Sequence, residues 1–281
     1  MATLRSIKKR IGVVKNIRKI TRAMKMISAA KLRRSVTALE NFRQYHRAME
    51  GIYDHLMKET LASSHNTDSV VRSNSSARII LFTSNRGLCG GFNTSLVRHA
   101  QKVMQSYDQV EFHTIGKTGT NSIQKLGVSI LSRRPQNFKL SLEDVETWGD
   151  QLLSDHRDKK FDRLVVVYSE FVNAVSQRPT HVELLPIPWA SLELPPYLYE
   201  PNGKDVVNGL IRRRLASRIY LANLESIASE HGSRMRAMDA ATTNSEEMIS
   251  NLTLIFNSVR QATITKAMLE IINGAEALGK A

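Results

Sequence analysis

The sequence has one cysteine, Cys89, in 281 residues. That excludes an internal disulfide and a Cys-rich zinc site. Proline is missing from residues 1–134 and 202–281; all seven prolines lie between them. Glycine is sparse near the N-terminus, where only Gly12 and Gly51 occur between residues 4 and 58. Proline inside a helix costs about 3 kcal/mol, so its absence permits long helices at both ends. No run approaches the ~18 apolar residues of a membrane span, which excludes a single-pass insertion. The best runs are Ile79–Phe82 and Leu164–Val167. The eight histidines (His46, His55, His65, His99, His113, His156, His181 and His231) show no paired spacing, which removes the zinc patterns.

No acidic residue occurs before Glu40. Residues 1–50 carry 14 Lys and Arg against Glu40 and Glu50, a net +12. The remainder adds only +1 from residues 51–204 and +1 from 205–281, giving the total of +14. The positive charge is therefore one N-terminal feature. It has two readings: phosphate neutralisation on a nucleic acid, or a cationic face for acidic protein partners. No aromatic residue precedes Phe42, which weighs against stacking on single strands. The basic pattern runs straight into a helix-compatible segment, so it reads as mature structure rather than a targeting peptide.

What is present is helical periodicity at the ends and strand–helix alternation between them. Leu4, Ile7, Ile11, Val14, Ile17, Ile20, Met24 and Ile27 follow 3-4-3-3-3-4-3 spacing, a stripe with one three-residue slip. Thr3 is the expected N-cap, and the helix runs over residues 3–57. Met235, Met238, Thr242, Ser245, Ile249, Leu252, Phe256 and Val259 form an unbroken heptad. Residues 63–77 read as a Ser/Asn-rich linker. Strands are expected at Arg78–Ser84, Val110–Ile115, Arg163–Ser169 and His181–Ile187. Helices are expected at Asn93–Ser106, Lys117–Leu126 and Leu142–His156. Alternation of this kind implies an α/β fold with a parallel or mixed sheet, and the central α/β domain is expected to be Rossmann-like. The domain map is a helix over 1–62, the linker, an α/β domain over 78–204 and a helix over 205–281, with the two end helices pairing antiparallel as a long coiled coil.

No chemistry-bearing constellation stands out. GLCGGFN after the first strand contains Gly87, Gly90 and Gly91, but matches neither phosphate-loop pattern and lacks the following Lys. It reads as a structural turn, with Cys89 as a small buried thiol. Glu143, Asp144 and Glu146 stand near a helix start, where acids favour the dipole.

Three segments carry a resemblance. Ile20–Arg34 (ITRAMKMISAAKLRR) resembles the N-terminal signature of the gamma subunit of F-type ATP synthases. Ser84–Asn93 (SNRGLCGGFN) is similar to that family's central motif, and Arg234–Leu278 to its C-terminal signature. The order and total length also agree. Departures are Asn85 for the usual Asp, Ser28 for Ala, and Ser245 where Ala is common. Asn85 removes an acid beside Arg86, so no salt bridge is expected there. The two-cysteine insert of chloroplast members is missing, so thiol control is not expected.

The resemblance implies a central rotor shaft within the hexamer of alpha and beta subunits. The α/β domain lies at its base, near epsilon and the c-subunit ring. Such a chain couples movement of protons or sodium ions to ATP synthesis and hydrolysis, and is itself neither catalytic nor a carrier of cofactor or metal. By motif position, Arg260 and Gln261 correspond to the pair contacting the beta catch region. Lys19, Lys31 and Arg86 correspond to cations near the acidic lever of beta. Tyr197, Tyr199 and Glu200 resemble the foot segment that meets epsilon and the c ring. Met24, Met26, Thr242 and Ser245 suit a bearing surface, while seam filling is the competing reading for them. The implied site is the cytoplasmic face of a bacterial plasma membrane, with the mitochondrial matrix face as the alternative. A basic coiled-coil nucleic-acid binder is the other function class; the resemblance implies no nucleic acid.

Overall fold

The computed structural model describes residues 3–63, 76–136, 140–186, 200 and 203–279. The elements run α1 (Leu4–Ser63), β1 (Ser76–Phe82), α2 (Phe92–Met104), β2 (Gln109–Ile115), α3 (Lys117–Lys125), β3 (Ser129–Arg134), α4 (Leu142–Arg157), β4 (Arg163–Phe171), β5 (Gln177–Leu185) and α5 (Gly203–Gly279). Contacts group the chain into two compact units, one of residues 1–27 and 235–281, the other of residues 28–234.

In the larger unit the sheet order is β3-β2-β1-β4-β5. β1 to β4 are mutually parallel, and β5 returns antiparallel along β4. The chain winds outward from β1 through α2, β2, α3 and β3. It then crosses back by α4 to set β4 on the other side of β1. That reversal defines a doubly wound, Rossmann-like sheet with its switch point between β1 and β4. A parallel strand is buried on both faces, which explains the apolar runs of β1 and β4. On one face Ile79, Leu81, Phe112, Val165 and Val167 pack against Leu96, Ala100 and Ile123 of α2 and α3. On the other, Ile80, Phe82, Leu164 and Val166 pack against Trp148 and Leu152 of α4, Ile211, Leu215 and Ile219 of α5, and Tyr53 of α1. α4 starts with a reciprocal cap: Ser141 Oγ accepts from Asp144 N–H at 3.1 Å, and Asp144 Oδ2 accepts from Ser141 N–H at 3.1 Å.

In this unit two sequence expectations are corrected. β3 was not anticipated: its residues SILSRR alternate exposed and half-buried at the sheet's margin, and two of the six are arginines. The fourth expected strand begins four residues earlier, at Gln177, and carries Pro179. Proline is tolerated there because β5 is an edge strand. Ile187 and residues 64–75 of the expected linker lie outside the described residues.

In the smaller unit, Thr3 caps α1 as expected, its Oγ1 accepting from Ser6 N–H at 3.3 Å. The seam of α5 is the heptad read from the sequence: Met238, Ser245 and Leu252 are buried, and Met235, Thr242, Ile249, Phe256 and Val259 are half-buried. The α1 seam differs from expectation. Instead of slipping to Ile17, Ile20 and Ile27, it keeps strict 3-4 spacing through Ile7, Ile11, Val14, Arg18, Thr21 and Lys25. Ile20 is 59% exposed and Thr21 only 8%. Thr21 is held inside because Thr242 Oγ1 donates to its Oγ1 at 2.8 Å, while Thr21 Oγ1 donates back to Arg18 O at 3.1 Å. Ser245 Oγ likewise donates to Ala241 O at 2.6 Å. Pairing of Lys25 with Asp239 at 2.6 Å and of Arg18 with Glu246 at 4.0 Å shows the helices running antiparallel.

Candidate coupling and partner-contact sites

Open doubly wound sheets bind ligands in the crevice outside the carboxyl ends of the strands, at the switch point. Here that crevice lies between the segments following β1 and β4, and residues 226–234 of α5 occupy it. At the end of β4, Ser229 Oγ donates to Ser169 O at 3.0 Å, and Ser226 Oγ accepts from Ser169 N–H at 3.3 Å. On the β1 side, Ser233 Oγ donates to Cys89 O at 2.8 Å, and Arg234 Nη2 donates to Arg86 O at 3.1 Å. The β4–β5 hairpin closes the third side. A Cβ at Gly232 would stand 3.0 Å from Gln177 Nε2 and 3.3 Å from Ala174 O, so the lack of a side chain permits close approach.

The glycine-rich turn is built to present carbonyl oxygens to this helix. Asn93 Oδ1 accepts from Ser84 N–H at 3.0 Å, and Asn93 Nδ2 donates to Ser84 Oγ at 2.7 Å. Ser84 Oγ in turn donates to Arg86 O at 2.7 Å. Leu88 and Gly90 adopt left-handed φ of 60° and 59°, and Cys89 is buried. A phosphate cradle needs converging N–H donors instead. Those at the start of α3 are also engaged: Gly119 N–H donates to Thr83 Oγ1 at 2.9 Å and Thr118 N–H to Ser84 O at 3.1 Å. The Asn85 amide is used in both directions. Its Nδ2 donates to Gln136 O at 2.7 Å, and its Oδ1 accepts from Gln136 N–H at 3.1 Å. A carboxylate could not donate the first of these bonds.

Charge is buried at the same place. Arg234 pairs with Glu230 at 2.6 Å, both side chains nearly enclosed. Burial raises the Glu230 carboxyl above its ordinary range, against the pull of Arg234 and Lys31. Burial, then Arg234 and Lys31, push His231 down to about 4. Lys31 therefore acts on α5 electrostatically, while its own side chain, like that of Arg86, is exposed. Farther along the unit, Arg43 bonds Glu225 at 2.6 Å and Phe171 O at 3.0 Å. Arg218 grips Glu50 in a bidentate pair at 3.0 Å for each bond. Sequence reasoning missed these bridges; the only signal was an isolated Glu50 in a basic segment.

In the smaller unit Lys19, Arg260 and Gln261 are exposed. Beyond Val259 the helix has no buried face among its described side chains, and it exposes Ile264, Met268, Leu269, Ile271 and Ile272, each more than half exposed. Such a patch marks a partner surface. Met26 is 60% exposed and Met24 half-buried, whereas Thr242 and Ser245 face the seam. Glu200 is exposed; Tyr197 and Tyr199 lie outside the described residues.

Comparison with known proteins agrees with this architecture. A family model described as ATP synthase matches residues 3–278. The ATP synthase gamma chain of Anaeromyxobacter sp. (strain Fw109-5) is 37% identical, covering 99% of this chain and 100% of that protein. The gamma chain of Psychrobacter arcticus is 36% identical over 99% and 100%. Among solved structures, a chain from the central stalk and c ring of Tetrahymena thermophila mitochondrial ATP synthase is 25% identical. It gives a TM-score of 0.65 and covers 79% of this chain and 99% of that one. A rotor chain of Euglena gracilis mitochondrial ATP synthase shares the fold at 20% identity, with a TM-score of 0.68 over 93% and 98% of the two chains. With full-length sequence matches and a shared central-stalk fold, the chain belongs to the ATP synthase gamma chain family, the central rotor shaft of F-type ATP synthase.

Proposed function

We infer that this chain transmits rotation between an ion-translocating c ring and an alpha–beta catalytic hexamer, and that it performs no bond chemistry itself. One observation carries the reading. α5 is a single helix whose residues 226–234 are bonded on two sides, and packed closely on a third, in the crevice where a related sheet would hold a ligand. A helix fixed in that way moves with its sheet. Torque applied to the α/β domain then passes along α5 to the paired helices of the smaller unit.

The exposed cations Lys19, Lys31 and Arg86 suit acidic segments of beta, and Arg260 with Gln261 suits its catch region. Met26 presents an adaptable side chain to successive neighbours. Thr242 and Ser245 serve inside the seam, where small hydroxyl side chains let the helices approach. Tyr197, Tyr199 and Glu200 form the contact with epsilon and the c ring. The complex sits on the cytoplasmic face of a bacterial plasma membrane, and protons or sodium ions drive it.

Co-purification from native membranes tests the reading. Recovery with alpha and beta, no ATPase in the isolated chain, and activity regained on recombination are expected. Recovery with nucleic acid alone would defeat it.

A further inference from the structure

His99 on α2 and His181 on β5 are 82 positions apart in sequence, yet His99 Nε2 lies 3.0 Å from His181 Nδ1. The ring planes are inclined by 46° and the centroids stand 5.1 Å apart. His99 is half-buried and His181 exposed, so solvent reaches the pair. Both backbones belong to regular elements, which fixes their separation. Two nitrogens on one transition ion, with bonds near 2.0–2.1 Å opened by 90–110°, stand about 2.9–3.4 Å apart. The observed spacing falls in that range.

We propose that His99 and His181 form a surface chelate for a nitrogen-preferring divalent ion such as Cu²⁺, Ni²⁺ or Zn²⁺. Net charge does not drive the binding. Lys102 stands one turn along α2, and Glu183, two residues along β5, is engaged by Arg163 at 2.5 Å. The imidazole lone pairs supply the affinity, which selects against the oxygen-seeking ions Mg²⁺ and Ca²⁺. Among the described residues no group of three or more His, Cys, Asp or Glu gathers as a metal site. The chelate therefore has two protein ligands, water completes the coordination, and the ion exchanges readily. When bound, it ties the edge strand β5 to α2. Through Gln177 and Ala174 the same hairpin packs on Gly232, so the ion stiffens the wall of the α5 crevice.

The probe is Cu²⁺ added to the full chain and followed by electron paramagnetic resonance. A two-nitrogen signature is expected at neutral pH, insensitive to millimolar Mg²⁺ and lost in acid as the imidazoles protonate. His99→Gln and His181→Gln should each weaken Cu²⁺ binding at least tenfold, and Zn²⁺ should raise the Tm of the unmodified chain but not of the double variant. An unchanged Cu²⁺ spectrum in the double variant would overturn the proposal. So would a spectrum of the unmodified chain that lacks two nitrogens or persists in acid; these need no substituted protein.

Discussion

Arg260 and Gln261 follow directly on Val259, the last half-buried position of the α5 seam among the described side chains, and both are exposed. A guanidinium there can donate up to five N–H bonds to carboxylates or carbonyls of a partner. If those bonds form only at certain rotor angles, losing them alters the energies of those angles more than the stability of the helix. Arg260→Ala with Gln261→Ala should leave the complex assembled while lowering its ATPase and ATP-synthesis rates, by about 5- to 150-fold for a coupling worth ~1–3 kcal/mol. An assembled double variant turning over at the unmodified rate would refute the contact. Residue identity was legible at Cys89, a small buried thiol as expected, and in the turn around it. What Asn85 does was not legible, because its partner is the backbone of Gln136, 51 positions away.

At the scale of elements, periodicity was readable wherever apolar residues marked the buried face. The α5 heptad, the strands β1, β2 and β4 and the helices α2 to α4 follow from it with small shifts at their ends. Reading failed where a polar residue faces inward. Following apolar residues alone gives a slip in α1, whereas a hydroxyl pair across the seam keeps Thr21 inside and leaves Ile20 in solvent. The two readings make opposite demands on mutants. Ile20→Ser should change the stability of the full chain by less than about 0.5 kcal/mol, and Thr21→Ala should lower it by about 1 kcal/mol through loss of the cross-helix hydrogen bond. Thermal melts of the two variants decide, and a larger loss at Ile20 would restore the slipped seam. β3 escaped for a related reason: a half-exposed strand ending in two arginines lacks the apolar density of its neighbours. The His99–His181 pair has no local signature, since only the packing of α2 against β5 creates it.

For the molecule as a whole, buried imidazoles set the acid limit. Burial, aided by neighbouring arginines, pushes His46, His113 and His231 down to about 4. The unfolded chain binds protons at these sites near pH 6.5 while the folded chain still excludes them. Stability is therefore fully present above that pH and is lost as pH falls from about 6.5 towards 4, by at most roughly 3 kcal/mol per histidine. Glu225 and Glu230, whose carboxyls burial raises, act in the opposite sense above their ordinary range and reduce the net loss. The urea midpoint of the full chain should fall between pH 7 and pH 4.5. A flat or rising profile would show that the three imidazoles are not held neutral by folding.

The bonds that join the first helix to the last also constrain how the protein is made. Arg43 finds its carboxylate at Glu225, His46 its hydroxyl at Ser217, and Glu50 its guanidinium at Arg218. These groups leave the ribosome with some 170–180 residues still to come before their partners appear. The sheet can assemble in the interval, but its crevice stays open until residues 226–234 emerge. A nascent chain of this protein thus carries an unfinished interior through most of its synthesis. Its last quarter is the part that completes the domain begun by its first.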